Sequence, residues 1–191
     1  MKKASLGFFK KYFSLKAIIL NAFIGALYLV ITIACAPLSY NFIQFRFSEA
    51  LMLLVFFNPS YTLGLTIGCY LSNLAFGLGI LDQIFGTLAT FVSCLLIILF
   101  SKFIKNLFFS SLIPSLVNAA VVPFVIIFSS FNTPDAFTLD LATYFMMFGF
   151  ILLGEVVAIS VVGYPLIYHL SKKYNGFYNL ILATRNKEYR F

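Results

Sequence analysis

The chain has 191 residues, of which 62% are apolar and only 10% charged, and its net charge is +7. A soluble domain carries roughly 25% charged residues, so too few polar side chains are present to cover a water-facing surface; the mean hydropathy of +1.01 agrees. Lipid is therefore the solvent for most of this chain, and a nucleic-acid-binding role is disfavoured because Lys and Arg sit at the ends and in one middle loop, not along a soluble face.

Residues 1–16 form a basic leader with Lys2, Lys3, Lys10, Lys11 and Lys16. The first apolar segment follows at 17–37. Its uncharged run is about 20 residues, longer than the roughly 7–15 of a cleaved signal core. Thr32 spoils a lipoprotein-like reading of Cys35, and the segment reads as a retained helix. Ala22, Gly25 and Ala26 share one face in its cytoplasmic half, where small residues let another helix approach closely within lipid.

The stretch from Tyr40 to Leu51 gathers Gln44, Arg46, Ser48 and Glu49 at the outer entrance of a short second segment, 48–57, which Asn58-Pro59 ends. Ser48 is placed to cap that helix and Glu49 to favour its first turn. Arg46 is placed to pair with Glu49 or another acid. The other reading is a loop that covers a pocket. A bilayer core of about 30 Å needs about 20 helical residues, so this segment must tilt, extend through Phe45-Arg46-Phe47, or be partly re-entrant.

The third segment spans 60–78 and carries Gly64 and Gly68, a four-residue pair read as internal packing. Asn73 and Asp82 bracket the turn at Gly77-Leu78-Gly79. The fourth spans 83–100 and the fifth 110–131, with Asn118 between Pro114 and Pro123, whose rings free neighbouring backbone carbonyls. The sixth spans 141–168. Glu155 lies about 14 residues into it, roughly 20 Å along the helix. A carboxylate near mid-membrane is costly and belongs beside a polar cavity or a partner. Interhelical hydrogen bonding is the other reading of Asn73 and Asn118. A basic tail, 171–191, ends the chain.

With six crossings and both termini in the cytoplasm, twelve of the thirteen basic residues fall inside and only Arg46 outside, as the positive-inside rule requires. Glu49, Asp82, Asp135 and Asp140 then lie at or near the outer face, an acidic bias that suits a cationic ligand. Cys35, Cys69 and Cys94 have no CxxC spacing and read as buried thiols. His169 stands alone, which disfavours a metal centre or catalytic triad. No GxxxxGK[ST] run is present, so ATP hydrolysis by that route is excluded. No cofactor and no catalytic role are expected.

Over about 17–170 the sequence resembles the QueT family. The likeness rests on Ala26-Leu27-Tyr28, on Gln44 through Leu51, and on Gly64 through Cys69 with Asn73. It extends to Asp82 through Thr90, Asn118-Ala119 and Gly154-Glu155. Gln83 departs from an expected aliphatic residue, and the tail after Lys173 lies beyond the likeness. The resemblance implies an all-α, six-helix fold of the kind found in substrate-binding S components of energy-coupling-factor (ECF) importers, in the cell membrane. It implies a transmembrane coupling subunit and two ATPase subunits as partners, with Ala22 and Ala26 matching a docking motif. It implies a queuosine precursor, 7-aminomethyl-7-deazaguanine or a close relative, as ligand. Glu155 would then take the guanine-like edge, Asn118 a further polar contact, and Asp82 or Glu49 the ammonium. Asn73, Arg46 and Gln44 complete the expected site. A vitamin-binding importer subunit and a membrane scaffold without a small ligand are the competing readings.

Overall fold

A computed structural model describes residues 14–39, 44–76, 79–130 and 141–173. The expectations placed on the leader before Ser14, on Tyr40, on Gly77 and Leu78, on Asp135 and Asp140, and on the tail after Lys173 lie outside these residues. Every regular element among them is helical. The chain is an all-α polytopic membrane protein. Four helices are long and apolar enough to cross a bilayer: α1 (Leu15–Ala34), α4 (Asp82–Phe100), α5 (Leu107–Ser130) and α6 (Leu141–Lys173). Two shorter helices stand between the first two, α2 (Phe47–Phe57) and α3 (Thr62–Ala75).

The outer surface explains the composition. On α1 alone Leu15, Ile18, Ile19, Phe23, Val30 and Ile33 are exposed, an arrangement that water would penalise and acyl chains do not. The opposite face of the same helix buries Ile24, Gly25, Tyr28 and Thr32, one stripe at helical spacing. Ser14 caps its start, accepting a hydrogen bond from the Ala17 N–H at 3.2 Å.

The packing of α1 on α3 is set by glycine. A Cβ on Gly25 would stand 2.7 Å from the Gly64 carbonyl oxygen, and one on Gly68 would stand 2.6 Å from the Gly25 oxygen. A Cβ on Gly64 would meet the Asn21 carbonyl oxygen. Asn21 locks the contact by accepting the Gly64 N–H at 2.9 Å. Gly64 and Gly68 are thus internal packing, as their spacing predicts. Gly25 corrects the expectation that grouped it with Ala22 and Ala26 on a docking face: it is turned inward against Gly64, whereas Ala22 and Ala26 remain exposed. Its position about 100° from Ala26 around the helix places it in the buried stripe with Tyr28 and Thr32.

The short second segment resolves differently from any single expectation. Residues 44–46 have no regular secondary structure, 47–53 wind as a 3₁₀ helix, and Leu54–Phe57 close as an α-helix. At about 2.0 Å per 3₁₀ residue and 1.5 Å per α residue, eleven residues reach about 20 Å. Every residue from Leu51 to Asn58 is buried, so this part of α2 is a central post surrounded by protein. Irregular backbone at membrane depth is tolerated under that condition. Ser48 does not cap α2. The residue before the helix is Arg46, without a side-chain cap, and Ser48 instead accepts a hydrogen bond from the Thr32 hydroxyl of α1 at 2.7 Å. The 3₁₀ turn Pro59–Tyr61, with Asn58 capping it, leads straight into α3.

Two helices contain π-wound stretches, Asp82–Gly86 at the start of α4 and Val156–Gly163 within α6. The second begins immediately after Glu155. Such windings are rare and gather at functional sites. At Gly163 a Cβ would collide with that of Ala50, so the π stretch closes directly onto the central post.

Candidate binding site

Residues 44–46 lie across α6 like a strap. A Cβ on Gly154 would collide with the Gln44 carbonyl oxygen and stand 3.2 Å from the Gln44 nitrogen. Only glycine admits backbone this close, and the approach delivers Arg46 and Glu49 to the level of Glu155. Glu49 enters the first turn of α2, its N–H donating to the Arg46 carbonyl at 3.0 Å. The local turn therefore fixes the two charged side chains relative to each other.

A continuous polar chain follows. Arg46 Nη1 lies 3.4 Å from Glu49 Oε1. Arg46 Nη2 donates to Asn73 Oδ1 at 2.7 Å. Asn73 Nδ2 donates to the Asp82 carbonyl at 3.2 Å, spanning the turn between α3 and α4. On the other side Asn118 Nδ2 donates to Glu49 Oε2 and, at 3.4 Å, to Glu155 Oε1. Side chains from α2, α3, α5 and α6 thus meet on one network. Arg46 is 5% exposed, Asn73 and Asn118 1%, and Glu49 and Glu155 not at all. Glu155 points into protein, not lipid.

Five of the seven binding residues expected from sequence, Arg46, Glu49, Asn73, Asn118 and Glu155, are brought into contact here. Gln44 contributes through the backbone that crosses Gly154. Asp82 is half-buried at the start of α4 and joins through its carbonyl. Asn73 and Asn118 do cross-link helices, as the interhelical reading holds. The same bonds aim the charged groups.

The charge balance is uneven. Counted in their ionised forms, two carboxylates face one guanidinium. Glu155 Oε2 is buried and has no hydrogen-bond partner among the described residues. A low-dielectric site of this composition favours a positively charged occupant with N–H donors to offer.

Several polar groups here were not singled out from sequence. Tyr28, wholly buried on α1, brings its hydroxyl near Cys69, Glu49 and Arg46 without a hydrogen bond of ordinary geometry. Cys69 accepts from the Thr90 hydroxyl at 3.2 Å. Ser93 and Ser115 bury hydroxyls that make no hydrogen bond among the described residues. Ser111, Ser115 and Asn118 recur at intervals of four and three, a polar stripe that was available to a periodicity reading. An apolar cavity of about 430 Å³ lies elsewhere, between Leu81 and Phe85 around the start of α4 and the C-terminal half of α5 (Ala120, Val121, Phe124, Phe128). It contains none of the polar network and does not match the ligand chemistry just derived.

A family model described as QueT transporter matches residues 18–172. A curated relative from Lactococcus lactis subsp. cremoris (strain MG1363), "Queuosine precursor transporter QueT", is 33% identical over 151 residues, which cover 75% of this chain and 86% of the relative. No solved structure matches the chain.

Proposed function

The chain belongs to the QueT transporter family, and on that premise we propose that it is the substrate-binding S component of an ECF-type importer for a queuosine precursor, 7-aminomethyl-7-deazaguanine or a close relative. It works in the cell membrane with both termini in the cytoplasm. Its partners are a transmembrane coupling subunit and two ATPases that supply the energy this chain has no motif to harvest. The role is transport, not catalysis.

The observation that carries this reading is the wholly buried Glu155, with one carboxylate oxygen held by Asn118 and the other unpartnered among the described residues. A guanine-like edge presents two adjacent N–H donors, which a carboxylate accepts side by side. The aminomethyl group is cationic near neutral pH and meets the acid excess supplied by Glu49, with Asp82 at the outer rim. Arg46 and Asn73 hold Glu49 in place, and Gln44 anchors the strap above Glu155. Ala22 and Ala26, exposed on α1, fit contact with the coupling subunit.

The test is twofold. Mass spectrometry of the ligand that co-purifies with the detergent-solubilised protein should find a deazaguanine. A vitamin in its place would move the chain to another substrate class, and an empty, correctly folded protein that binds no deazaguanine would favour a scaffold. Glu155→Gln should abolish binding. Undiminished affinity in that variant would refute the role given to Glu155.

A further inference from the structure

Helices α5 and α6 are joined at three polar levels, one of them the Tyr144 hydroxyl donating to the Ala120 carbonyl at 2.9 Å. At the inner level the Ser111 hydroxyl donates to Ser160 Oγ at 2.8 Å. At the next level Asn118 bonds Glu155. Ser115 lies between them, one turn beyond Ser111 and one turn before Asn118, on the same face of α5 by helical spacing. It is completely buried, and its hydroxyl has no hydrogen-bond partner among the described residues. Glu155 Oε2 shares both properties. Two buried polar atoms without hydrogen-bond partners among the described residues thus lie on neighbouring helices, one a pure acceptor when ionised and the other able to donate. A π winding starts immediately after Glu155 on α6 at this level, a feature that gathers at functional sites.

From this pairing we propose that Ser115 is a specificity-determining residue that donates its hydroxyl proton to a carbonyl oxygen of the ligand adjacent to the N–H edge taken by Glu155. The inference rests on the substrate-binding reading above and deepens it. A carboxylate beside a hydroxyl donor reads an edge of the order donor, donor, acceptor, which is the edge of a 2-amino lactam. The site then selects the 6-oxo ring form and discriminates against rings whose sixth position accepts poorly or donates. Ser115 contacts substrate and does not act through another side chain.

The experiment uses the purified full chain in detergent and two probes, 7-aminomethyl-7-deazaguanine and its 6-thio analogue. The thio analogue keeps both N–H donors but has a weak acceptor in place of the oxygen. Ser115→Ala should weaken the oxo ligand about tenfold, the scale of one buried hydrogen bond, and leave the thio analogue within about twofold. Ser115→Thr, which retains a hydroxyl, should keep the oxo preference. Because Ser115→Ala removes a buried group with no protein partner, the ligand-free melting temperature should hold or rise while the shift produced by the oxo ligand shrinks. An equal loss for both probes, a fall in ligand-free stability that accounts for the loss, or no loss at all would overturn the role of Ser115. A native protein that binds neither probe would instead bring down the substrate reading, a result visible before any variant is made.

Discussion

Arg46 is the pivot on which the acids depend. It touches Glu49 on its own turn and Asn73 across the bundle, and it supplies the cationic partner of the network. Removing one member of a buried ion pair while leaving the other typically costs about 3–5 kcal/mol. Arg46→Met should therefore lower the melting temperature strongly, and adding Glu49→Gln should recover much of the loss. A double-mutant cycle in detergent measures that coupling; simple additivity would show that the pair is not the source. Asn118→Leu removes the donor shared by two carboxylates and should reduce both stability and ligand affinity. Glu155 and Asn118 were legible in the sequence because an ionisable or amide group deep in an apolar run is expensive and seldom idle. Their pairing was not, because the contacts join residues 69 and 37 positions apart. Asp82 shows the opposite limit: its position was marked by its charge, yet its carbonyl makes the contact.

At the level of elements, the glycines separate into those that permit contact and those that do not. Gly64 lies under the Asn21 carbonyl, whereas a Cβ on Gly149 would meet nothing within 4 Å. Gly64→Ala should destabilise by about 1–3 kcal/mol, the usual range for forcing extra volume into a packed interior. Gly149→Ala should be neutral or stabilising by up to about 1 kcal/mol, since it exchanges a poor helix former for the best. Thermal unfolding of the two variants side by side checks the contrast. The four long helices were readable from hydropathy and length, whereas the third segment, read over 60–78, forms only the 14-residue α3. The windings of α2 and α6 were not readable, because 3₁₀, α and π turns draw on the same apolar residues and differ only through what packs around them. The Ser48 cap failed for the same reason: Thr32, sixteen residues earlier, offers the hydroxyl a better-placed partner.

For the molecule as a whole, the distribution of Lys and Arg predicts which side faces the cytoplasm. Lys102 is exposed in the turn between α4 and α5. In a background without native cysteines, Lys102→Cys should react with an impermeant maleimide only after the membrane is opened; labelling of intact cells would reverse the proposed orientation. Ala22→Leu with Ala26→Leu should leave ligand binding intact and abolish uptake, because these residues face outward from a helix whose inner face is already occupied. The all-α membrane character was therefore visible in composition, while the polar centre emerged only when four helices were brought together.

The buried post formed by α2 bears on how the protein is made. It is short, with Glu49 in its first turn and Arg46 just before it, and charged groups exposed to acyl chains are costly, so its release alone into a bilayer is disfavoured. Insertion as a hairpin with α3, turned at Asn58-Pro59 and docking onto α1 through Gly25 and Gly64, is the expected route. Nascent chains arrested soon after Phe57 should remain at the translocon, and those extended past Ala75 should integrate.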